Sequence, residues 1–227
     1  MEMIIDVHAH LDFYPEKRLK ELIENAKKNG VGIIITNSID IKSLKKSLLS
    51  FKGEPSIKIA AGLYPEKNLK LVDYEKFEKI VIENREKIVA LGEIGLDLHH
   101  TKRNFEIQKK VFIKQLNLSR RLKLPAIIHT RKAEKETLEI LGEYKDLKII
   151  LHCFSGSLEL VKKGVGMGFY FSIPTSIVRS EHFQKMIKEI PKEKILTETD
   201  SPYLSPFRGK ENEPAFIKES ITLSFVD

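Results

Sequence analysis

The stretch Asp6-Val7-His8-Ala9-His10 follows directly on the apolar pair Ile4-Ile5. In an extended chain these three ionisable side chains share one face, and Ile5, Val7 and Ala9 share the other. Further along, ALGEIGLD carries Glu93, IIHTR carries His129, ILHCFSG carries His152, and TETDSP carries Glu198 and Asp200. Imidazole and carboxylate without thiolate suit divalent ions such as Zn, Mn, Fe or Ni, and a carboxylate can bridge two of them. Two ions about 3.5–4 Å apart can share an activated hydroxide and hold both oxygens of a displacement. A single His in such a place is more often a hydrogen-bonded structural residue, and His-x-His alone is a common accident. Six residues together, His8, His10, Glu93, His129, His152 and Asp200, would carry a large desolvation cost if left unpaired. That points to a metal centre.

Such a centre needs elements that deliver all six side chains to one place. Short runs rich in Ile and Val alternate with Lys/Glu-rich stretches having apolar residues every three or four positions. The strands expected are Met3–Val7, Val31–Thr36, Ile57–Leu63, Ile88–Glu93, Ala126–His129, Lys148–His152, Phe169–Ile173 and Ile195–Glu198. Helical patterns fill the gaps, roughly Glu16–Lys28, Ile41–Leu49, Tyr74–Arg85, Phe105–Leu122, Ala133–Leu141, Leu158–Lys163 and Glu181–Ile190, with a last helix from near Pro214. Gly30, Gly142 and Gly164 stand where helix ends favour φ > 0. Eight apolar strands, each followed by a helix, predict a TIM-like (β/α)8 barrel of class α/β, with a shortened or atypical C-terminal helix. The candidate ligands all fall at C-terminal ends of strands, where such barrels carry their active sites. Four of the seven histidines are among them.

The 227 residues fit one barrel domain over 1–227, with 41% hydrophobic and 31% charged residues typical of a globular chain. No run approaches the roughly 18 apolar residues of a membrane span, and the N-terminus lacks the layout of a signal peptide. Cys153, the single cysteine, can form no internal disulfide. These features predict a cytoplasmic protein. The formal charge of +7 permits attraction to nucleic acid, although scattered lysines equally describe an ordinary solvated surface.

The stretches DVHAHLD, LGEIGLD, LPAIIHTR, LHCFSG, TETDSPYLSP and RGKENEP resemble those of the TatD-like hydrolases, metal-dependent deoxyribonucleases of the amidohydrolase superfamily. The likeness runs from Asp6 to Pro214. It implies a TIM-like barrel holding one or two divalent ions (Zn, Mn, Mg, Fe or Ni). His8, His10 and Asp200 would hold the first and His129 and His152 the second, with Glu93 bridging and Asp200 orienting or deprotonating the attacking water. The activity implied is hydrolysis of phosphodiester bonds in DNA, and by extension RNA, often from the 3′ end. Some relatives cleave other ester-type bonds, including those of charged tRNA. Many members carry a Gly-x-His-Pro motif after strand three, whose His serves the scissile phosphate; here AAGLYPEK places Tyr64 there. With an ordinary pKa near 10, Tyr donates to a phosphate but shuttles protons poorly.

Other residues are secondary candidates. Arg131 either clamps a phosphate or forms a surface ion pair, and Ser155 with Gly156 offers donors to an anion. Asp97 orients the loop after strand four, and Glu198 and Asp6 are carboxylates suited to supporting ligand histidines. Cys153 is expected to pack, His99 and His100 either touch substrate or are solvated, and His182 is structural. Three functions follow: a metal-dependent nuclease, a metal-dependent esterase or amidase including aminoacyl-tRNA deacylation, and a silent barrel that only binds nucleic acid or a partner.

Overall fold

The structure, a computed structural model, describes residues 3–66, 68–99 and 104–225. Eight parallel strands pair in chain order to form the TIM-like (β/α)8 barrel. The strands are β1 (Ile4–Ala9), β2 (Val31–Ser38), β3 (Ile57–Ala61), β4 (Ile88–Asp97), β5 (Ala126–Arg131), β6 (Ile149–His152), β7 (Tyr170–Pro174) and β8 (Ile195–Glu198). Between and after them run α1 (Glu16–Lys28), α2 (Ile41–Ser50), α3 (Leu71–Glu83), α4 (Phe105–Leu122), α5 (Glu134–Leu141), α6 (Leu158–Gly166), α7 (Glu181–Met186) and α8 (Lys218–Phe225). Bonds to three main-chain oxygens help close the seam between β8 and β1. Thr197 Oγ1 donates to Ile5 O at 2.7 Å, Asp200 N to His8 O at 2.8 Å, and His10 N to Ser201 O at 2.7 Å. Two of these bonds also fix the backbone of candidate ligands.

Local sequence explains the helices. In α1, Leu19, Leu22, Ile23 and Ala26 are buried, the i, i+3, i+4, i+7 stripe of a helix lying on a sheet. At the start of α2, Ser43 N donates to Asp40 Oδ1 at 2.6 Å and Asp40 N to Ser43 Oγ at 3.0 Å, a reciprocal cap. The main apolar cluster, including Leu91, Phe112, Leu138 and Phe171, lies between strands and helices. Ala60, Ala90 and Ile127 form a separate small cluster. Ile127 stands two positions before His129 and so shares its face of β5.

Several boundaries differ from the sequence reading. β4 continues past Glu93 to Asp97, because its glycines serve close approach rather than termination. A Cβ on Gly95, where φ is +149°, would lie 1.9 Å from His129 O, and one on Gly92 would lie 2.7 Å from the Ile127 side chain. The pairing of β4 with β5 shifts register between Leu91 and Ile94, and such an irregularity re-aims the side chain within it, here Glu93. Of the three glycines expected at helix ends, Gly30 has φ of +83°, but Gly142 is helical with φ of −54°. Gly164 lies inside α6, where a Cβ would press to 2.8 Å on the Phe171 ring. The last helix begins as a 3-10 turn, Pro214–Ile217, before α8. No helix among the described residues is long and apolar enough to cross a membrane.

Candidate metal centre

Asp6, His8 and His10, alternate residues along and just past β1, are all buried. His10 Nδ1 lies 2.9 Å from Asn37 O. With its proton on that carbonyl, Nε2 is left to face the barrel axis. His8 Nε2 and His10 Nε2 are 3.2 Å apart. Glu93 Oε2 lies 3.6 Å from the first and 3.5 Å from the second. Asp200 Oδ1 lies 3.6 and 3.4 Å from the same two atoms. A tetrahedral ion with bonds of about 2.1 Å has its ligand atoms about 3.4 Å apart. His8, His10 and Asp200 therefore fit three corners of such a shell, and Glu93 Oε2 lies within reach of both imidazoles.

Glu93 turns its other oxygen to a second group. Oε1 is 2.7 Å from His129 Nδ1 and 3.8 Å from His152 Nε2. His129 comes from β5 and His152 ends β6, so donors from β1, β4, β5, β6 and the turn after β8 converge. Asp200 holds φ of +56°, a left-handed turn that Asp tolerates better than most residues. Each histidine of the second group is braced on its far side. His152 Nδ1 is 2.8 Å from Glu198 Oε2, and His129 Nε2 is 3.3 Å from Asp97 Oδ2. A carboxylate behind a ligand imidazole sets its tautomer and raises its basicity.

Asp97 is the hub of this support. Besides His129, its Oδ2 accepts from Tyr64 Oη at 2.9 Å and from Arg131 Nε and Nη2 at 2.9 and 2.7 Å. Its Oδ1 accepts from His99 N at 2.9 Å. Tyr64, in place of the family's His, also stands 3.1 Å from His129 Nε2. Burial, with the negative charges of Glu93 and Asp97, pushes the Tyr64 phenol far above its ordinary range, so it carries no proton traffic near pH 7. α4 clamps the end of β4 and the loop after β3, which bear these residues. Gln108 bonds the backbone N and O of Asp97, both at 2.9 Å, and Gln115 bonds those of Leu63 at 2.7 and 3.1 Å. Asn212, from RGKENEP, donates to Thr199 O and Tyr203 O, each at 2.7 Å. It thereby holds the turn that presents Asp200. Asn37, both glutamines and Asn212 had no role in the sequence reading.

The positive partners in these groups are protons, held by the carboxylates around them. Burial alone would strip the imidazoles. For His10 the Asp200 hydrogen bond and the Glu93 charge reverse this and lift the pKa to about 9, and for His152 Glu198 lifts it to about 10. His8, dominated by burial and by the neighbouring His152, falls to about 3. Glu93 stays well below the carboxylate range, since bonds from His129 and His8 outweigh burial. Asp6 is different: burial pushes it up to about 7 against bonds from Thr199. It accepts from Thr199 N, Thr199 Oγ1 and His8 N at 3.0, 2.6 and 3.2 Å, tying β1 to the chain after β8.

The groups open into a cavity of about 550 Å³ bordered by Tyr64, Arg131, Phe13 and Tyr203 as well as by the candidate ligands other than His8, which is fully buried. Ser155 is not on its lining; it is exposed, with its hydroxyl 3.3 Å from Glu134 Oε1. Arg131 reaches the cavity while spending Nε and Nη2 on Asp97. Cys153 packs against the main apolar cluster, and burial raises its thiol pKa. His182 lies on α7, its ring against Phe183. His99 is exposed, and His100 lies outside the described residues.

Fold and site together define a class: a parallel barrel metallohydrolase with a mixed imidazole–carboxylate centre at its strand ends. Residues 5–223 match the family described as TatD related DNase. The chain is 35% identical over 223 residues to the uncharacterized metal-dependent hydrolase YabD of Bacillus subtilis, covering 95% of this chain and 88% of that one. It is 33% identical over 227 residues to the human deoxyribonuclease TATDN3, covering 93% and 82%. Among solved structures, the TatD homolog YJJV from Escherichia coli superposes with a TM-score of 0.89 at 28% identity, covering 97% and 88%. The chain belongs to the TatD family of metal-dependent hydrolases.

Proposed function

We propose that this hydrolase cleaves phosphodiester bonds of DNA from strand ends with two divalent ions. His8, His10 and Asp200 would hold the first, His129 and His152 the second, with Glu93 between. One observation carries the reading: the two oxygens of Glu93 face two separate donor groups, one within 3.6 Å of His8 and His10 and one within 3.8 Å of His129 and His152. Bound there, divalent ions supply Lewis acidity toward a phosphoryl oxygen and acidify water. The chain's own residues do the rest. Asp200 is the ligand candidate carboxylate more open to the cavity, 14% exposed against 5% for Glu93, and takes the proton of the attacking water. Arg131 stabilises the developing charge from the rim. The basic surface, at +7 overall, draws the strand in.

The test is a labelled single-stranded oligonucleotide incubated with Mn²⁺, Mg²⁺ or Zn²⁺. Stepwise shortening from one end is expected, with Glu93→Ala losing more than the roughly 100-fold that outer supports cost. Equal product from the two proteins refutes the reading. A second reading has its own observation. Tyr64 Oη is committed to Asp97 at 2.9 Å, which spares it no proton for a phosphate and favours a carboxylic ester, such as that of aminoacyl-tRNA. Faster release of amino acid from charged tRNA than of nucleotide from DNA would establish it.

A further inference from the structure

One wall of the cavity is aromatic and has no part in the chemistry described above. Phe13 lies in a single 3-10 turn, Leu11–Phe13, directly after the ligand candidate His10. Its ring stacks on the His10 imidazole with centroids 4.9 Å apart and planes 13° from parallel. Tyr203, three residues after Asp200, meets it edge-on, with centroids 6.1 Å apart and planes at 84°. Both rings are open, at 38% and 54% exposure. Their backbones are fixed. Phe13 N donates to His10 O at 3.1 Å, and Tyr203 N to Asp200 O at 2.8 Å, while Tyr203 O accepts from buried Asn212. The result is a rigid right-angled corner, apolar on two sides, with Leu204 beside it. His10 backs one of its walls.

We propose that Phe13 and Tyr203 form a nucleobase-stacking subsite, which holds the base of the nucleotide whose phosphate is cleaved. The assignment rests on the phosphodiesterase reading and deepens it by naming what holds the nucleotide beside the scissile bond. A flat heteroaromatic ring satisfies this corner in a way an aliphatic acyl group does not: its face covers one ring while its edge meets the other. Stacking is indifferent to base identity, since every base has a π face. The corner therefore selects for the presence of a base rather than for a sequence. Position supports the same occupant. The Phe13 ring is one ring-stack away from His10, so a base held there stays within one sugar of the donor groups.

The test compares a single-stranded oligonucleotide with the same strand carrying abasic residues at both terminal positions. Wild type is expected to prefer the intact end by about tenfold or more in kcat/KM. That preference shrinks toward unity in Tyr203→Ala and in Phe13→Leu, the latter keeping an apolar side chain over His10. Tyr203→Phe keeps it. Equal cleavage of both ends by wild type, or an unchanged preference in both variants, overturns the subsite. If wild type cleaves neither strand, the phosphodiesterase reading fails separately. The subsite is then decided by a strand ending in 2-aminopurine, whose fluorescence is quenched on stacking. Quenching that depends on Phe13 and Tyr203 upholds it, and its absence refutes it.

Discussion

Replacing Asp97 by Asn tests whether the second donor group depends on a buried charge standing behind it. The change is nearly isosteric, and the residue is only 3% exposed, so its consequences are local. Asp97 Oδ2 accepts from Tyr64, from two nitrogens of Arg131 and from His129. An amide cannot accept all of these, and its NH₂ would face donors. Hydrogen bonds to a charged group contribute about 1.5–3 kcal/mol each. The Arg131 pair alone therefore predicts about 3 kcal/mol of lost stability, or roughly 6–12 °C in Tm for a chain of this size. The more diagnostic effect is on metal. Freedom of the His129 ring to choose its tautomer costs only about a factor of two in affinity. Loss of the carboxylate's polarisation carries the total to about 10–100-fold. Competition titration with a chelator should show one of two ions bound that much more weakly, and the other, at His8, His10 and Asp200, changed by less than about threefold. Arg131→Ala serves as the control, losing the ion pair while leaving Asp97 behind His129. Equal weakening of both ions, or none, would refute the assignment of Asp97 as the support of a distinct second site.

Two further outcomes follow from the same geometry. Glu198→Gln removes the charge behind His152, 2.8 Å from Nδ1, and should weaken metal binding about tenfold without unfolding the chain; unchanged affinity in a chelator titration would count against it. Metal binding should also release protons. His10 and His152 have pKa values raised from 6.5 to about 9 and about 10, so at pH 7 both are charged and must lose a proton to ligate. Affinity therefore rises with pH up to about 10, less steeply above about 9, where His10 is already neutral. In the chelated protein the sign is reversed: these charged pairs stabilise the fold fully below about pH 6.5 and lose that effect as pH passes 9 to 10. Calorimetry in buffers of different ionisation enthalpy reads the released protons, and a pH-independent affinity between 7 and 9 would contradict this.

The candidate ligands were legible because two periodicities coincide in them. Alternation fixes which face of a strand a residue takes, and the β/α rhythm fixes which end of each strand carries function. His8, His10, His129 and His152 satisfy both. Glu93 departs from this pattern: it does not end β4, which runs on to Asp97, and reaches the site where the pairing with β5 shifts register. Glycines that accommodate a neighbouring backbone read in sequence like glycines that end a strand. The supporting residues were hidden for a different reason. Gln115 grips Leu63 across 52 residues of chain, and Tyr14 Oη donates to the carbonyl of Asn212, 198 residues away. Such bonds go to main-chain atoms, which every residue has, and leave no complementary partner type to search for. Phe13 and Tyr203 were invisible because single exposed aromatics are ordinary; only their right-angled contact beside His10 singles them out.

Arg131 shows how charge balance decides between roles that sequence leaves open. Five carboxylates, those of Asp6, Glu93, Asp97, Glu198 and Asp200, stand in or directly behind the two donor groups. Against them Arg131, bound to Asp97, brings a single fixed positive charge. With neutral imidazoles the ensemble would hold four uncompensated negative charges, which burial forbids. Protons on His10 and His152, and a proton that Asp6 takes up as its pKa reaches about 7, reduce that excess. Two divalent cations would remove it entirely while leaving the imidazoles neutral, the form in which they ligate. With Asp6 ionised, a centre loaded with a single divalent cation would keep two negative charges and retain protons on its imidazoles, whereas one loaded with two would be neutral and present no net repulsion to an entering phosphate.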